Sequence, residues 1–220
     1  FDDFNDTKLN LEWEFVRNPD NGSWSLTEHP GYFRIWTRDG QLNEIRAKNT
    51  LLRREQELSY VAETKLEFYP DKDGEQAGLT CYYSTATYAR CSLCYEGGRK
   101  IQLVINRNHG EELIAEVDNV KETPVYLKVV VEKLTRTFYY SYDGQKWEKV
   151  GALENCIYLC DEGGRVVVYT CADNGLPDKR LLRTGIYVNL LPEADAIRLK
   201  QGFYVTGETA LRAQLEDLGG

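Results

Sequence analysis

The chain of 220 residues is 42% apolar and 28% charged, and it carries a formal net charge of −8 with an isoelectric point near 5.0. This length suits one large β-sandwich, so we expect a single domain over residues 1–220. Because a nucleic acid backbone or an anionic membrane requires clustered Lys and Arg, the acidic balance argues against both as partners. No apolar run approaches the roughly 20 residues of a membrane span, and the first residues lack the pattern of a signal peptide.

Alternation of apolar and polar residues with a period of two dominates the sequence and predicts an all-β sandwich or barrel with little helix. Turn-forming residues separate the alternating segments. The strands predicted in chain order are Gly31 to Thr37, Tyr60 to Phe68, Gly78 to Ser84, Tyr88 to Tyr95, Lys100 to Asn106, Leu113 to Val117, Val125 to Lys133 and Thr137 to Tyr142.

Alternation also assigns each side chain of a strand to one face of the sheet. The residues predicted to face the core are Phe33, Ile35, Thr37, Leu127, Val129, Val131, Phe138, Tyr140 and Tyr142. The residues predicted to point outward are Tyr32, Arg34, Trp36, Lys128, Val130, Glu132, Tyr139 and Ser141.

The chain is less regular from Glu162 onward. A hairpin is predicted from two segments, Arg165 to Cys171 and Thr184 to Leu190, with a turn at Asn174-Gly175-Leu176-Pro177 between them. The segment Thr206 to Leu218 is open to two interpretations, because its leucines also fit a helical stripe that ends at Gly219.

Six cysteines are present, at positions 81, 91, 94, 156, 160 and 171. They are too sparse for a disulfide scaffold. Cys91 and Cys94 have a zinc-like spacing, but an odd offset in a strand points two side chains to opposite faces. We therefore expect the cysteines to serve as small buried apolar side chains rather than as disulfides or metal ligands.

The sequence offers no recognisable catalytic group. A retaining glycosidase needs two carboxylates about 5 Å apart in one cleft. Glu63 and Glu67 share a strand face, but Lys65 lies between them, which is typical of a solvated surface. His29 and His109 lie in predicted turns without metal ligands at suitable spacing, and no phosphate-binding loop or nucleophile elbow is present.

Aromatic residues carry the positive signal for function. Sugar rings present apolar C–H faces that stack on Tyr and Trp, while their hydroxyls bond to polar and charged side chains. The candidate carbohydrate-binding residues are the strand residues of these types that alternation turns outward, although packing inside the sandwich is the alternative for each. They are Tyr32, Arg34, Trp36, Tyr82, Tyr88, Arg90 and Tyr139.

Several segments, in their order and spacing, resemble one family of accessory domains. They are Asp2-Asp3-Phe4-Asn5, Leu11-Glu12-Trp13-Glu14-Phe15, Trp24 to Tyr32, Ala62 to Phe68, Ala77-Gly78-Leu79, Tyr82-Tyr83, Pro124 to Val129 and Phe138 to Ser141. The family is the C-terminal concanavalin A-like domain of glycoside hydrolase family 43 β-xylosidases and arabinofuranosidases. The resemblance implies a concanavalin A-like jelly-roll β-sandwich of two antiparallel sheets, which performs no hydrolysis itself.

Two departures from the family pattern stand out. Residues 162–202 look like an insertion, and the closing strand that would pair near Asp2 to Asn5 is missing. Its absence should expose a sheet edge, which invites pairing with another chain. The resemblance also favours a strand over a helix in Thr206 to Leu218.

The leading hypothesis is a non-catalytic carbohydrate-binding module that recognises xylan, xyloglucan or a related β-glycan, and the alternative is a structural domain that packs on a catalytic propeller. The expected partners are thus a polysaccharide or oligosaccharide and an appended glycoside hydrolase domain. A structural calcium ion is compatible with such sandwiches, with Asp2 and Asp3 as guessed ligands. We expect an extracellular location within a secreted bacterial enzyme, or a cytoplasmic one if the enzyme is intracellular.

Overall fold

The computed structural model describes residues 1–107, 109–132, 135–171 and 177–219, and strands dominate them, as the all-β prediction requires. The strands are β1 (Trp13–Phe15), β2 (Trp24–Ser25), β3 (Arg34–Ile35), β4 (Leu51–Arg53), β5 (Ser59–Leu66), β6 (Gln76–Ser84), β7 (Thr87–Tyr95), β8 (Arg99–Arg107), β9 (Gly110–Asp118), β10 (Val125–Glu132), β11 (Thr135–Ser141), β12 (Glu148–Glu154), β13 (Cys156–Glu162), β14 (Arg165–Cys171), β15 (Pro177–Tyr187) and β16 (Phe203–Thr206). The α-helices are α1 (Glu193–Gln201) and α2 (Gly207–Gly219). No helix in these ranges is both long and apolar enough to cross a membrane.

The described strands form three four-stranded sheets and two short ladders. The sheet orders are β6-β7-β8-β9, β12-β11-β10-β5 and β15-β14-β13-β16, while β1 pairs with β4 and β2 with β3. The chain divides into two compact units. The first comprises Phe1–Leu58, Ala62–Lys128 and Phe138–Val150; the second comprises Ser59–Val61, the described residues of Val129–Thr137 and those from Gly151 onward.

The first unit contains the antiparallel meander β6–β9, which is apolar on one face. Cys91, Leu93, Ile101 and Leu103 alternate along its two central strands and are at most 1% exposed. The side chains between them, on the other face, are mostly polar. Both central strands are buried, so the centre of the meander is covered on its polar face as well, whereas β9 at its edge is mostly exposed.

Gly78 lies where β6 and β7 approach each other closely. It pairs with Ser92, and a Cβ added to it would overlap the carbonyl oxygen of Cys91 and the Cα of Ser92. Both obstacles are backbone atoms, which cannot rotate away as a side chain would. The position therefore requires glycine.

Strands β10 and β11 largely follow the predicted faces. Leu127, Val129, Val131 and Phe138 are buried as predicted. Ser141 was predicted to point outward, but it is only 2% exposed. Its hydroxyl accepts hydrogen bonds from the backbone N–H groups of Asp143 and Gly144, so the turn that follows the strand folds over it.

The segment predicted as the strand Gly31 to Thr37 is reduced to β3, which pairs only with the two residues of β2. Phe33 does face inward, where its ring lies 5.6 Å from those of Phe4 and Trp24. The inward prediction for Ile35 and Thr37 is wrong, since both are exposed. A two-residue ladder offers no broad sheet to cover them.

The second unit packs helices on the sheet β15-β14-β13-β16. Its buried cluster consists of Ile157, Leu159, Val166, Val168, Val188, Leu199 and Leu218. Leu211 and Leu215 of α2 pack against this cluster, so the helical stripe decides the conformation of that segment, and the strand favoured by family resemblance is wrong. The predicted pairing of two strands is confirmed as β14 and β15, but the second strand is Pro177–Tyr187 rather than Thr184 to Leu190. Asn174, Gly175 and Leu176 of the predicted turn lie outside the described residues.

The close approach at Gly78 yields a stability prediction. Gly78→Ala should lower the free energy of unfolding by at least about 2 kcal/mol, because the new methyl group forces two strand backbones apart. Gly98→Ala is the matched control, since a Cβ there meets no atom within 4 Å, and its change should stay within about 0.5 kcal/mol. Urea unfolding followed by tryptophan fluorescence measures both, and equal effects of the two substitutions would contradict the steric argument.

Candidate functional site

The structure brings together only some of the seven predicted carbohydrate-binding residues. Tyr82, Tyr88 and Arg90 share the polar face of the meander, because Tyr82 pairs with Tyr88 and Arg90 follows Tyr88 by two positions. Tyr32, Arg34 and Trp36 lie on and beside β3, and Tyr139 lies on β11.

The polar face of the meander consists of rows of residues that pair side by side across neighbouring strands. The row of Tyr82 and Tyr88 continues to Asn106 and Glu111, and the row of Ser92 continues to Gln102 and Glu116. Tyr82 and Tyr88 stack with their ring centroids 6.1 Å apart. We call these residues, with Arg90, the polar face.

Tyr88 and Arg90 were predicted to be exposed, and this is wrong: they are 2% and 9% exposed. Alternation placed them correctly on the face opposite the core, but that face is itself covered. The Tyr88 hydroxyl donates to Glu111, and burial together with this carboxylate raises the pKa of Tyr88. Arg90 donates through Nη1 to the Ser92 hydroxyl at 2.8 Å and holds its Nε 3.7 Å from Glu111.

Sequence reasoning missed the contribution of β8 to this face. Gln102 is 2% exposed and its amide donates to Glu96 at 3.0 Å and to Glu116 at 2.9 Å. Glu116 also accepts from Lys100, and the hydrogen bonds from Lys100 and Gln102 lower the pKa of its carboxyl. The alternation of Lys100, Gln102 and Asn106 with isoleucine and leucine along β8 was the available signal.

Two buried polar atoms of this face have no hydrogen-bond partner among the described residues: Nε of Arg90 and Oδ1 of Asn106. The Asn106 side chain is otherwise fixed, because its Nδ2 donates to the carbonyl of Thr85 at 3.0 Å. Burying such atoms without a partner is costly, and an enclosed water molecule is the usual solution. The polar face can therefore hold water, but the buried ring of Tyr88 offers no surface on which a sugar could stack, and Tyr82 beside it is half-buried.

Tyr32 is half-buried, and its neighbours contact both its ring and its hydroxyl. His29 stacks on its ring at 4.3 Å, and the ammonium group of Lys65 lies 5.1 Å from the ring centroid. Its hydroxyl donates to Glu67 at 2.6 Å and accepts from Lys65. The hydrogen bond from Tyr32 is the main cause of the lowered pKa of Glu67, so this tyrosine is one part of a surface polar network.

Trp36 and Arg34 are the most accessible of the seven. Trp36 is 37% exposed and makes no ring contact within the described part of the chain. Arg34 lies two positions earlier, in β3, and pairs with Glu28 at 3.2 Å.

Tyr139 is half-buried, and the same lysine side chain lies over its ring and over that of Trp147. The ammonium group of Lys128 lies 5.6 Å from the Tyr139 centroid and 3.5 Å from that of Trp147. A cation held over these rings competes with a sugar for the same surface.

The acidic residues guessed for calcium are bonded within the chain. Asp2 accepts from the indole N–H of Trp13 at 2.7 Å and from the backbone of Phe4 at 2.9 Å, and Asp3 accepts from the backbone of Asn5. Among the residues that the structure describes, no group of three or more His, Cys, Asp or Glu side chains could hold a metal ion.

Comparisons with known proteins agree on one family. The family model of the β-xylosidase C-terminal concanavalin A-like domain matches residues 1–175. A β-xylosidase of Bacillus subtilis is 32% identical over 161 residues, which cover 70% of this chain and 30% of that protein. A xylan 1,3-β-xylosidase of a Vibrio species is 33% identical over 168 residues, which cover 74% of this chain and 31% of that protein.

A solved structure extends the comparison to three dimensions. The crystal structure of a family 43 glycoside hydrolase from Bacillus licheniformis matches 69% of this chain and 29% of its own, with a TM-score of 0.67 and 50% sequence identity. The chain thus spans about a third of the length of the curated relatives that it matches.

One added charge tests whether the polar face is closed to solvent. Gln102→Glu should lower the free energy of unfolding by about 2 kcal/mol at neutral pH, because it would bury a carboxylate at position 102, beside the carboxylates of the more exposed Glu96 and Glu116. Burial and repulsion raise the pKa of the new carboxyl in the folded state. The penalty is therefore complete above that raised pKa and disappears as the pH falls towards about 4.3, the ordinary value for Glu.

Urea unfolding at several pH values checks this prediction. Gln145→Glu is the control, because Gln145 is exposed and its substitution should have little effect at any pH. A Gln102→Glu variant as stable as the wild type at neutral pH would mean that the polar face is open to solvent.

Proposed function

Because the chain belongs to the β-xylosidase C-terminal concanavalin A-like domain family, we propose that it serves a family 43 glycoside hydrolase as a non-catalytic accessory domain. The observation that carries the proposal is the extent of the match. The chain corresponds to about a third of each relative, in a family named for its C-terminal position. The catalytic machinery of such an enzyme would lie in the part of the protein to which this chain has no counterpart.

The arrangement of the acidic side chains supports a non-catalytic role. Hydrolysis by two carboxylates needs one acid with a raised pKa and a second that faces it across an open cleft. On the polar face, Glu111 is bonded to Tyr88 and lies near Arg90, and Glu116 is bonded to Lys100 and Gln102. These bonds favour the charged form of Glu116 and lower its pKa, the opposite of what a general acid requires.

A domain exchange tests the accessory role. Removing the corresponding domain from the Bacillus subtilis β-xylosidase should reduce its hydrolysis of a nitrophenyl β-xyloside at least about tenfold, and fusing this chain in its place should restore most of the activity. A fusion carrying Gly78→Ala is the matched control, since it should recover less. The proposal fails if the truncated enzyme keeps full activity, or if a folded fusion is as inactive as the truncated form.

A second candidate function, recognition of a hemicellulose such as xylan or xyloglucan, rests on Trp36. It is the exposed aromatic of the predicted set whose ring no other described side chain stacks on, and Arg34 beside it can bond to sugar hydroxyls. In this role the chain would bind a polysaccharide or oligosaccharide and hold its enzyme near the substrate.

Affinity electrophoresis in gels that contain xylan, xyloglucan or glucomannan tests the binding role. The wild type should be retarded in at least one gel, and Trp36→Ala should weaken binding about tenfold through loss of stacking. Tyr83→Ala is the control, because Tyr83 is 76% exposed but was not predicted to bind sugar. Binding is ruled out if the folded wild type migrates normally in every gel.

A further inference from the structure

Cys156 and Cys171 lie directly opposite each other on neighbouring strands of the second unit. Strands β13 and β14 pair antiparallel, with Ile157 opposite Thr170. Because Cys156 precedes Ile157 and Cys171 follows Thr170, the same register places the two cysteines across from each other. Directly opposite residues of such a ladder have Cβ atoms about 4.5–5.5 Å apart, and a disulfide needs about 3.5–4.5 Å, so a small adjustment at the strand ends is sufficient.

The two thiols are in contact. A hydrogen bond joins the side chains of Cys171 and Cys156, and both residues are half-buried and not joined by a disulfide. Burial, with a further contribution from this hydrogen bond, raises the pKa of Cys171 to about 12. The pair is thus in reach of small reagents, but it should react slowly at neutral pH because little thiolate is present.

Cys160 provides an internal comparison. It lies on β13, four positions after Cys156 and therefore on the same face of the sheet, and it is also half-buried. Its partner across the ladder is Val167, which offers no second thiol. Cys156 and Cys160 thus differ in the residue that lies opposite each of them on β14.

We propose that Cys156 and Cys171 form a site of reversible oxidation, at which a small-molecule disulfide such as oxidised glutathione converts the two thiols into a cross-strand disulfide. One cysteine thiolate attacks the reagent disulfide, forms a mixed disulfide and releases one reduced thiol. The second cysteine thiolate then attacks the protein sulfur of the mixed disulfide and releases the other reduced thiol. Two electrons pass from the cysteine pair to the reagent, and the two thiol protons are released or taken up by the departing thiolates.

The bond would fasten β14 to β13 at the end of the sheet. It closes a loop of about 15 residues in the unfolded chain, which removes conformational freedom that unfolding would otherwise regain. The loop contributes Ile157, Leu159, Val166 and Val168 to the buried cluster of the second unit. Oxidation should therefore stabilise this cluster, and reduction should reverse the effect.

The experiment uses the folded chain and oxidised glutathione at about pH 8.5, where the thiolate fraction is larger than at neutral pH. Mass spectrometry of the intact protein should show a loss of about 2 Da, and peptide mapping without reduction should join the peptides of Cys156 and Cys171. Cys156→Ser and Cys171→Ser should each abolish the joined peptide, and Cys160→Ser should leave it unchanged.

Thermal unfolding supplies an independent readout. The oxidised wild type should melt about 5 °C above the reduced form, and a reducing agent should remove the difference. The proposal is overturned if the folded wild type loses no mass, if the joined peptide contains another pair of cysteines, or if Cys156→Ser retains it. Because the wild-type peptide map is decisive by itself, a variant that fails to fold does not affect the conclusion.

Discussion

The requirement that buried polar groups find partners organises the first unit, because the two central strands of the meander, β7 and β8, are buried on both faces. Its apolar face needs only close packing. On its polar face the buried Tyr88 and Gln102 need acceptors, and Glu111 and Glu116 of the more exposed strand β9 supply them, while Lys100 also donates to Glu116. The bonds from Gln102 and Lys100 join the neighbouring strands β8 and β9, and the bond from Tyr88 reaches from β7 across β8 to β9, so the same contacts that satisfy the polar groups also help to fix the register of the sheet.

This requirement also limits what the domain can do. Tyrosine, arginine, glutamine and glutamate are the side chains that sugar sites use, and the polar face contains all of them, but they bond to one another. The same holds for Tyr32 beside His29 and Lys65, and for Tyr139 beside Lys128. Because these aromatic and charged side chains already bond within the domain, they suit support of a catalytic domain better than binding of a polysaccharide. Trp36 is the exception, and it keeps the proposed binding role open.

The sequence predicted the positions of the strands well, but it predicted poorly which of their faces are covered by the rest of the chain. Alternation located the meander and the inward set Leu127, Val129 and Val131 because pleated strands impose that period. It could not show that Tyr88 and Arg90 are buried, because the period distinguishes two faces without indicating which of them is covered. Ser141 was misplaced for a related reason: its burial depends on the turn that folds back over it, and no pattern within the strand reports that turn.

The second unit shows why a family match does not define the limits of a core. The match ends at residue 175, after β14. The buried cluster draws Ile157, Leu159, Val166 and Val168 from before that limit, and Val188, Leu199 and Leu218 from after it. Without the later residues, the sheet face formed by β13 and β14 would expose a row of fully buried aliphatic side chains to water. The segments from β15 to α2 therefore complete the core of this unit, and the leucine stripe of α2 had to form a helix because only a helix aligns Leu211, Leu215 and Leu218 on that face.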